Sequence, residues 1–167
     1  LVSVPPYHVA GIAAVLSSVY GGRRIVQLSS FTAESWLALA RKERVTHAFV
    51  VPTMLARIVD ALDGKASAEL PQLRALAYGG GKMPLPIIEK AMKLFPTTAF
   101  TNAYGLTETS STIAVLGPED HRAAAASSDP AVKRRLVFVG RPLPGVEIEI
   151  RDDEGRAVAA GVSGEVY

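Results

Sequence analysis

Between Asn102 and Thr112 the chain reads Asn-Ala-Tyr-Gly-Leu-Thr-Glu-Thr-Ser-Ser-Thr, setting one amide, one aromatic ring, one carboxylate and five aliphatic hydroxyls within eleven positions. Hydroxyls and backbone N–H groups at the start of a helix can hold phosphate oxygens, and a carboxylate can share a hard cation with them. Magnesium keeps several waters and needs only one or two protein carboxylates when phosphates supply the rest, so Glu108 alone is chemically sufficient as its ligand. A purely structural alternative has Thr107 capping a helix and Glu108 as an acid of its first turn.

A second cluster is Tyr78-Gly79-Gly80-Gly81. Three consecutive glycines let backbone approach a flat ligand unobstructed, or serve simply as a pliable strand-to-helix turn. They do not form a known phosphate loop. A Walker loop needs a glycine where Leu76 stands and Ser or Thr where Met83 stands, and a dinucleotide loop needs a glycine in place of Pro84. Lys82 is therefore expected to be a solvated loop lysine.

These clusters need strand ends to hold them. Residues 24–28, 47–51, 75–78 and 98–101 are apolar, β-favouring runs bounded by glycine, proline or serine. Helical patterns lie between them. Thr32 can cap a helix with Glu34 in its first turn and Arg41, Lys42 and Arg44 near its end. Pro52 opens a second, with Leu55, Ile58, Val59 and Leu62 inward and Gly64 as its stop, and a third runs from about Pro86 to Phe95 before Pro96. The alternation predicts an α/β fold: a mostly parallel sheet built of βαβ units with helices on both faces, over residues 1–140. Residues 119–135 read as one or two short surface helices around a loop. From Arg141 the texture becomes turn-rich and then alternates at period two, which predicts the beginning of a β-rich subdomain over 141–167. Both clusters then fall at the carboxyl ends of adjacent strands, where open α/β sheets bind ligands.

The 167 residues are 49% hydrophobic, enough for a real core, and carry eighteen Lys and Arg against sixteen Asp and Glu, for a net charge of +2. The positive residues are scattered, so nucleic acid is not implied as a partner. With no cysteine there is no disulfide framework and no thiolate chemistry, which fits a reducing, cytoplasmic setting. No apolar run reaches the roughly 18 residues of a transmembrane segment. The chain opens on Leu1 and stops at Tyr167 inside a strand-like stretch, so it reads as an internal piece of a longer protein.

Tyr104-Gly105-Leu106-Thr107-Glu108 resembles the Y-G-x-T-E signature of the adenylate-forming superfamily of acyl-CoA synthetases, luciferases and peptide-synthetase adenylation domains. Four further stretches resemble the same family in order: residues 5–11, with an aromatic-His-x-x-Gly segment around His8; Val51 to Met54; Tyr78 to Gly81; and Val139 to Gly145 followed by Gly161 to Glu165. The resemblance implies a ligase that joins a carboxylic acid to the α-phosphate of ATP, releasing pyrophosphate, and then passes the acyl group to a thiol, usually coenzyme A. It implies that Tyr104 stacks on adenine and Asn102 bonds its amino group, with Ala103 and Gly105 alongside. Gly79, Gly80 and Gly81 would floor the adenine and acyl sites, Thr107 would contact the α-phosphate, Glu108 would hold Mg2+, and His8 would stand near the acyl carboxylate and the thiol entrance. Taken alone, His8 would be an ordinary core or loop histidine. The family's upstream phosphate loop, its ribose-binding aspartate and its C-terminal lid domain with a catalytic lysine have no counterpart between Leu1 and Tyr167, so the isolated stretch is expected to be inactive without the rest of its parent. Within the family, His8 and the three glycines favour an acyl- or aryl-CoA ligase. The alternatives are an adenylation domain serving a carrier-protein thiol and a non-catalytic nucleotide-binding module.

Overall fold

A computed structural model describes residues 1–167. Helix α1 (Val9–Tyr20) and helix α2 (Ala33–Lys42) precede strand β1 (His47–Val50), helix α3 (Pro52–Ala61), strand β2 (Ala75–Gly79), helix α4 (Leu85–Leu94) and strand β3 (Ala99–Leu106). Then come β4 (Ser111–Leu116), α5 (Pro118–Ala126), α6 (Pro130–Lys133), a 3-10 turn (Arg134–Val137), and the two-residue strands β5 (Arg141–Pro142), β6 (Ile150–Arg151) and β7 (Glu165–Val166). The main sheet has the order β1-β2-β3-β4-β5. β1, β2 and β3 run parallel, with His47 opposite Ala75 and Ala75 opposite Ala99, and Val2 adds a parallel bridge to Phe49 beyond β1. β4 and β5 return antiparallel.

The predicted helices form for the reasons read from the sequence. Thr32 accepts a hydrogen bond from the Ser35 amide at 3.1 Å, Glu34 lies in the first turn of α2, and Arg41 and Lys42 lie in its last, where the helix dipole favours cations. Pro52 occupies the first turn of α3, where its missing N–H costs nothing. Leu55, Ile58 and Val59 point inward and are fully buried.

The two faces of the sheet are unlike. Ala48, Val50, Leu76, Tyr78 and Phe100 face a continuous core shared with α2, α3, α4 and α5, which includes Trp36, Leu73 and Ile88. His47, Phe49, Ala75, Ala77, Thr101 and Ala103 face the other way, toward α1. Helices thus cover both faces, four against one.

Several expectations need correcting. Residues 24–28 do not form a strand. Within that stretch only Gln27 bridges Val2, which receives the Leu28 amide and donates to the Val26 carbonyl, and a one-residue partner supports no longer ladder. No helix follows Tyr104-Gly105. β3 continues through Leu106 and turns back at 107–110 into β4, so Thr107 is no cap and Glu108 no first-turn acid. The helices over 118–133 are not wholly superficial, since His121 and Ala124 of α5 are buried. α1, by contrast, lies in a stretch where the sequence reading placed no helix. No helix is long and apolar enough to cross a membrane.

Candidate active site

Gly79 pairs with Ala103, and this register sets the three glycines beside the Tyr104 stretch. A methyl group on Gly79 would overlap the Ala103 carbonyl oxygen, so the close approach of the two strand ends requires glycine there. Gly80 has φ +78°, a left-handed conformation that side chains resist, and it turns the backbone outward. A β-carbon on Gly80 or Gly81 would lie within 4 Å of Val51 or Pro52, so the Val51-Pro52 segment backs this turn. Lys82 is exposed, as expected.

Asn102 and Tyr104 lie on the core side of β3. The Asn102 Nδ2 donates to the Phe138 carbonyl at 3.0 Å, which fixes the amide orientation because a carbonyl can only accept. Its Oδ1 has no protein partner and keeps some contact with solvent, so it remains available as an acceptor. Tyr104 is half-buried and pairs with Ala114. Gly105 opposes Thr112 past a bulge, and a methyl there would overlap the Ser111 carbonyl, so only glycine lets β4 fold this closely onto β3.

The hydroxyls divide their work. Thr109 Oγ1 accepts from the Leu106 amide at 2.9 Å and lies 3.0 and 2.9 Å from the Leu106 and Ser111 carbonyls, tying the hairpin together. The Ser110 amide closes the turn onto the Thr107 carbonyl at 3.0 Å, with Ser110 at φ +61°. Thr107 and Glu108 stand exposed at the tip, and Glu108 makes no ion pair. A free carboxylate and a free hydroxyl on a braced turn suit a hard cation and a phosphate.

His8 precedes α1 and is exposed, its ring 4.8 Å from that of Tyr7. The spacing to Gly11 has a packing cause: the first turn of α1 sits on the Pro5 carbonyl, which any side chain at residue 11 would strike. The stretch Val139 to Gly145 is also explained. Gly140, at φ +87°, lies against the Val115 carbonyl, and Arg141 and Pro142 then pair with Val115 and Ala114.

Between α1 and the sheet is a cavity of about 400 Å³. Ala10, Ala13 and Ala14 wall it from the helix, Ala75, Ala77, Thr101 and Ala103 from the strands. It reaches Gly80, Gly105, Ser111 and Thr112 at the strands' carboxyl end and His47, Ser17, Ser18 and Arg23 at the other. From Ala75 to Gly80 the strand advances about 16 Å at ~3.3 Å per residue. The sequence carried a signal for this cavity that was missed: in Ala75-Leu76-Ala77-Tyr78 and Ala99-Phe100-Thr101-Asn102-Ala103, large residues alternate with small ones, so one face of the sheet is left unfilled.

Beneath the strand ends, the Tyr78 hydroxyl lies 2.8 Å from His121 Nε2, and His121 Nδ1 lies 2.8 Å from the Gly117 carbonyl. The carbonyl requires the proton on Nδ1, so Tyr78 donates to Nε2. Burial lowers the His121 pKa, against a smaller opposing pull from Gly117 and Asp120, and burial raises that of the Tyr78 phenol. The imidazole is neutral at neutral pH, and the pair anchors α5 beneath the triple glycine.

A family model described as AMP-binding enzyme matches residues 1–167. The chain belongs to the AMP-binding enzyme family. It is 30% identical over 166 residues to the fatty acid–[acyl-carrier-protein] ligase ScoC of Streptomyces coeruleorubidus, covering 99% of this chain and 30% of that protein. Among solved structures it is similar to the amide bond synthetase McbA of Marinactinospora thermotolerans, with TM-score 0.80 and 31% identity over 98% of this chain and 30% of that one. It is also similar to the O-succinylbenzoate coenzyme A synthetase MenE of Bacillus subtilis in complex with ATP and magnesium ion, with TM-score 0.77 and 28% identity over 98% of this chain and 30% of that one. The chain therefore spans about 30% of the length of these relatives.

Proposed function

We propose that the parent protein is an ATP-dependent acid–thiol ligase, and that this chain supplies the adenine floor, the phosphate-facing turn and the acid pocket. The observation that carries the reading is one continuity: a cavity lined by small residues reaches Gly80, Gly105 and Thr112, and at Gly105 the chain joins Tyr104 on one side to the exposed Thr107–Glu108 tip on the other. In this reading the carboxyl end of an acid lies at that end, Tyr104 stacks on adenine, and the Asn102 Oδ1 accepts from the adenine amino group. Gly79, Gly80, Gly81, Ala103 and Gly105 supply unobstructed backbone. Thr107 donates to the α-phosphate.

Glu108 is the residue that would hold Mg2+, whose chemistry when bound is to neutralise phosphate charge. The chain's own part is alignment: attack by a carboxylate on a polyanion needs charge compensation and a fixed approach more than a strong base. The acid's carboxylate oxygen bonds to the α-phosphorus, pyrophosphate leaves, and a thiol then displaces AMP from the acyl carbon. Coenzyme A is the proposed thiol donor, with His8 beside its entrance. The proposal includes a cytoplasmic setting, in keeping with ATP and coenzyme A as partners. It also includes a division of the chain into residues 1–140 and 141–167, supported by β6 and β7 forming a sheet separate from the main one, to which only β5 of the second stretch adds.

ATP–pyrophosphate exchange by the full-length parent with a panel of carboxylic acids tests the reading. Acid-dependent exchange, lost in Glu108→Ala, is expected; nucleotide binding without exchange for any acid would make this a non-catalytic module. The isolated 167-residue chain is expected to show no exchange.

A further inference from the structure

Tyr78 of β2 and Asn102 of β3 are register partners, so their side chains stand side by side on the core face of the sheet. Both reach one short stretch of backbone. The Tyr78 hydroxyl lies 3.4 Å from the Leu136 carbonyl, and the Asn102 Nδ2 donates to the Phe138 carbonyl at 3.0 Å. From the 3-10 turn this stretch passes Gly140, whose backbone lies against the Val115 carbonyl, and joins the sheet as β5 beside β4. Residues 136–142 thus form a strap across β2, β3 and β4. Leu136 is fully buried and Phe138 is exposed, so the strap is held from its inner end, by core packing and by Tyr78. Tyr78 is itself held, its hydroxyl lying 2.8 Å from His121 Nε2 on α5. The orientation of Asn102 depends on this support. An amide offers an acceptor at one end and a donor at the other, and the two ends are nearly the same size. While the Phe138 carbonyl holds the NH2 group, Oδ1 is the end left for a ligand. A shifted carbonyl would release the amide to turn over and present a donor. The two orientations recognise different bases: an acceptor suits a 6-aminopurine, a donor a 6-oxopurine.

Resting on the reading above that Asn102 Oδ1 accepts from the adenine amino group, we infer that Tyr78 is a positioning residue for nucleotide choice. By fixing the strap at Leu136 it keeps the Phe138 carbonyl in place, and with it an Asn102 turned toward adenine and against 6-oxopurines. Tyr78 is fully buried, so it acts through the strap and not on the nucleotide.

The test is calorimetric titration of the full-length parent with ATP and with ITP, which carries an oxygen in place of the 6-amino group and a hydrogen on the adjacent ring nitrogen. Binding alone is read, so the identity of the acid does not enter, and titrations are run below the melting temperature of the least stable variant. Wild type is expected to bind ATP about tenfold or more tighter than ITP, the scale of a matched against a mismatched hydrogen bond, and Asn102→Ala to bring the ratio within about twofold of unity. Tyr78→Phe is expected to lower the ratio about threefold or more. Added to Asn102→Ala it should lower it no further, because the two residues act in series. Thr98→Val breaks a buried hydrogen bond to the Leu73 carbonyl, 2.9 Å long, at the opposite end of β3. It costs stability without touching the strap and is expected to keep the wild-type ratio. A wild-type ratio in Tyr78→Phe overturns the positioning role and leaves the contact of Asn102 with adenine standing. So does a ratio that falls equally in Thr98→Val, or that falls further when Tyr78→Phe joins Asn102→Ala, since the effect then follows stability or another route. Equal binding of ATP and ITP by the wild type, a preference that survives Asn102→Ala, or no binding of either nucleotide overturns the contact and the positioning together.

Discussion

Tyr78→Phe removes one oxygen from the protein interior and strands another polar atom. The phenol donates to His121 Nε2 at 2.8 Å and its only other neighbour is the Leu136 carbonyl at 3.4 Å, with all three residues fully buried. In the variant, His121 Nε2 is left as a buried acceptor with no donor, at a cost of about 2 kcal/mol. For a chain of this size that corresponds to a fall in Tm of about 4–8 °C. His121→Leu should leave the phenol only its long hydrogen bond to the Leu136 carbonyl at 3.4 Å and cost about 1–2 kcal/mol. The Gly117 carbonyl would not be orphaned, because it also accepts the His121 backbone amide at 3.1 Å. The double variant removes both ends of the bond, so its cost should fall short of the sum of the singles by about 1–2 kcal/mol. Urea unfolding of the four proteins closes the cycle. Additivity within about 0.5 kcal/mol would refute the claim that the hydroxyl and the imidazole satisfy one another.

The same histidine gives stability a pH dependence. Its folded pKa lies below 6.5, so as pH falls below that value the unfolded state binds the extra proton first and stability drops, while above it the contribution is constant. Urea midpoints at pH 7.5 and 5.5 should show this slope in the wild type and a flatter one in His121→Leu. Gly105→Ala drives a methyl into the Ser111 carbonyl and should cost about 3 kcal/mol, whereas Gly64→Ala, at φ +74° in open space, should cost only about 1 kcal/mol of backbone strain; thermal melts compare them. Thr109→Val removes the hydroxyl that ties Leu106 to Ser111 and should weaken binding of an acyl-adenylate analogue several-fold through a loosened turn, read by calorimetry with the Thr109→Ser variant as the rescue.

The parallel strands and α2, α3 and α4 were legible because each answers to one environment. β1 and β2 alternate against a core on one face, and the helices carry one apolar stripe between recognisable caps. α1 was hidden because it is apolar on every side: Ala10, Ala13 and Ala14 face the cavity, while Leu16, Val19 and Tyr20 are exposed. No period survives such a pattern. The hairpin after Tyr104 was misread because hydroxyl residues serve helix caps and tight turns equally well. What decides for the turn is the fit of Gly105 against Ser111, a contact between strands that neighbouring residues do not reveal. The candidate site residues were legible as types and spacings. The helix wall of the cavity was not, because only the fold brings Ala10, Ala13 and Ala14 over the small-residue face of β2 and β3.

The claim on which the account rests is that the ends of β2 and β3 and the hairpin tip receive an adenylate. Calorimetric titration of the full-length parent with a non-hydrolysable acyl-adenylate tests it most directly, comparing wild type with Tyr104→Ala. Loss of a stacking ring is worth about 1–3 kcal/mol per base, or roughly five- to 150-fold in Kd. A Kd raised by at least about fivefold is the predicted result; an affinity unchanged in Tyr104→Ala would contradict the account.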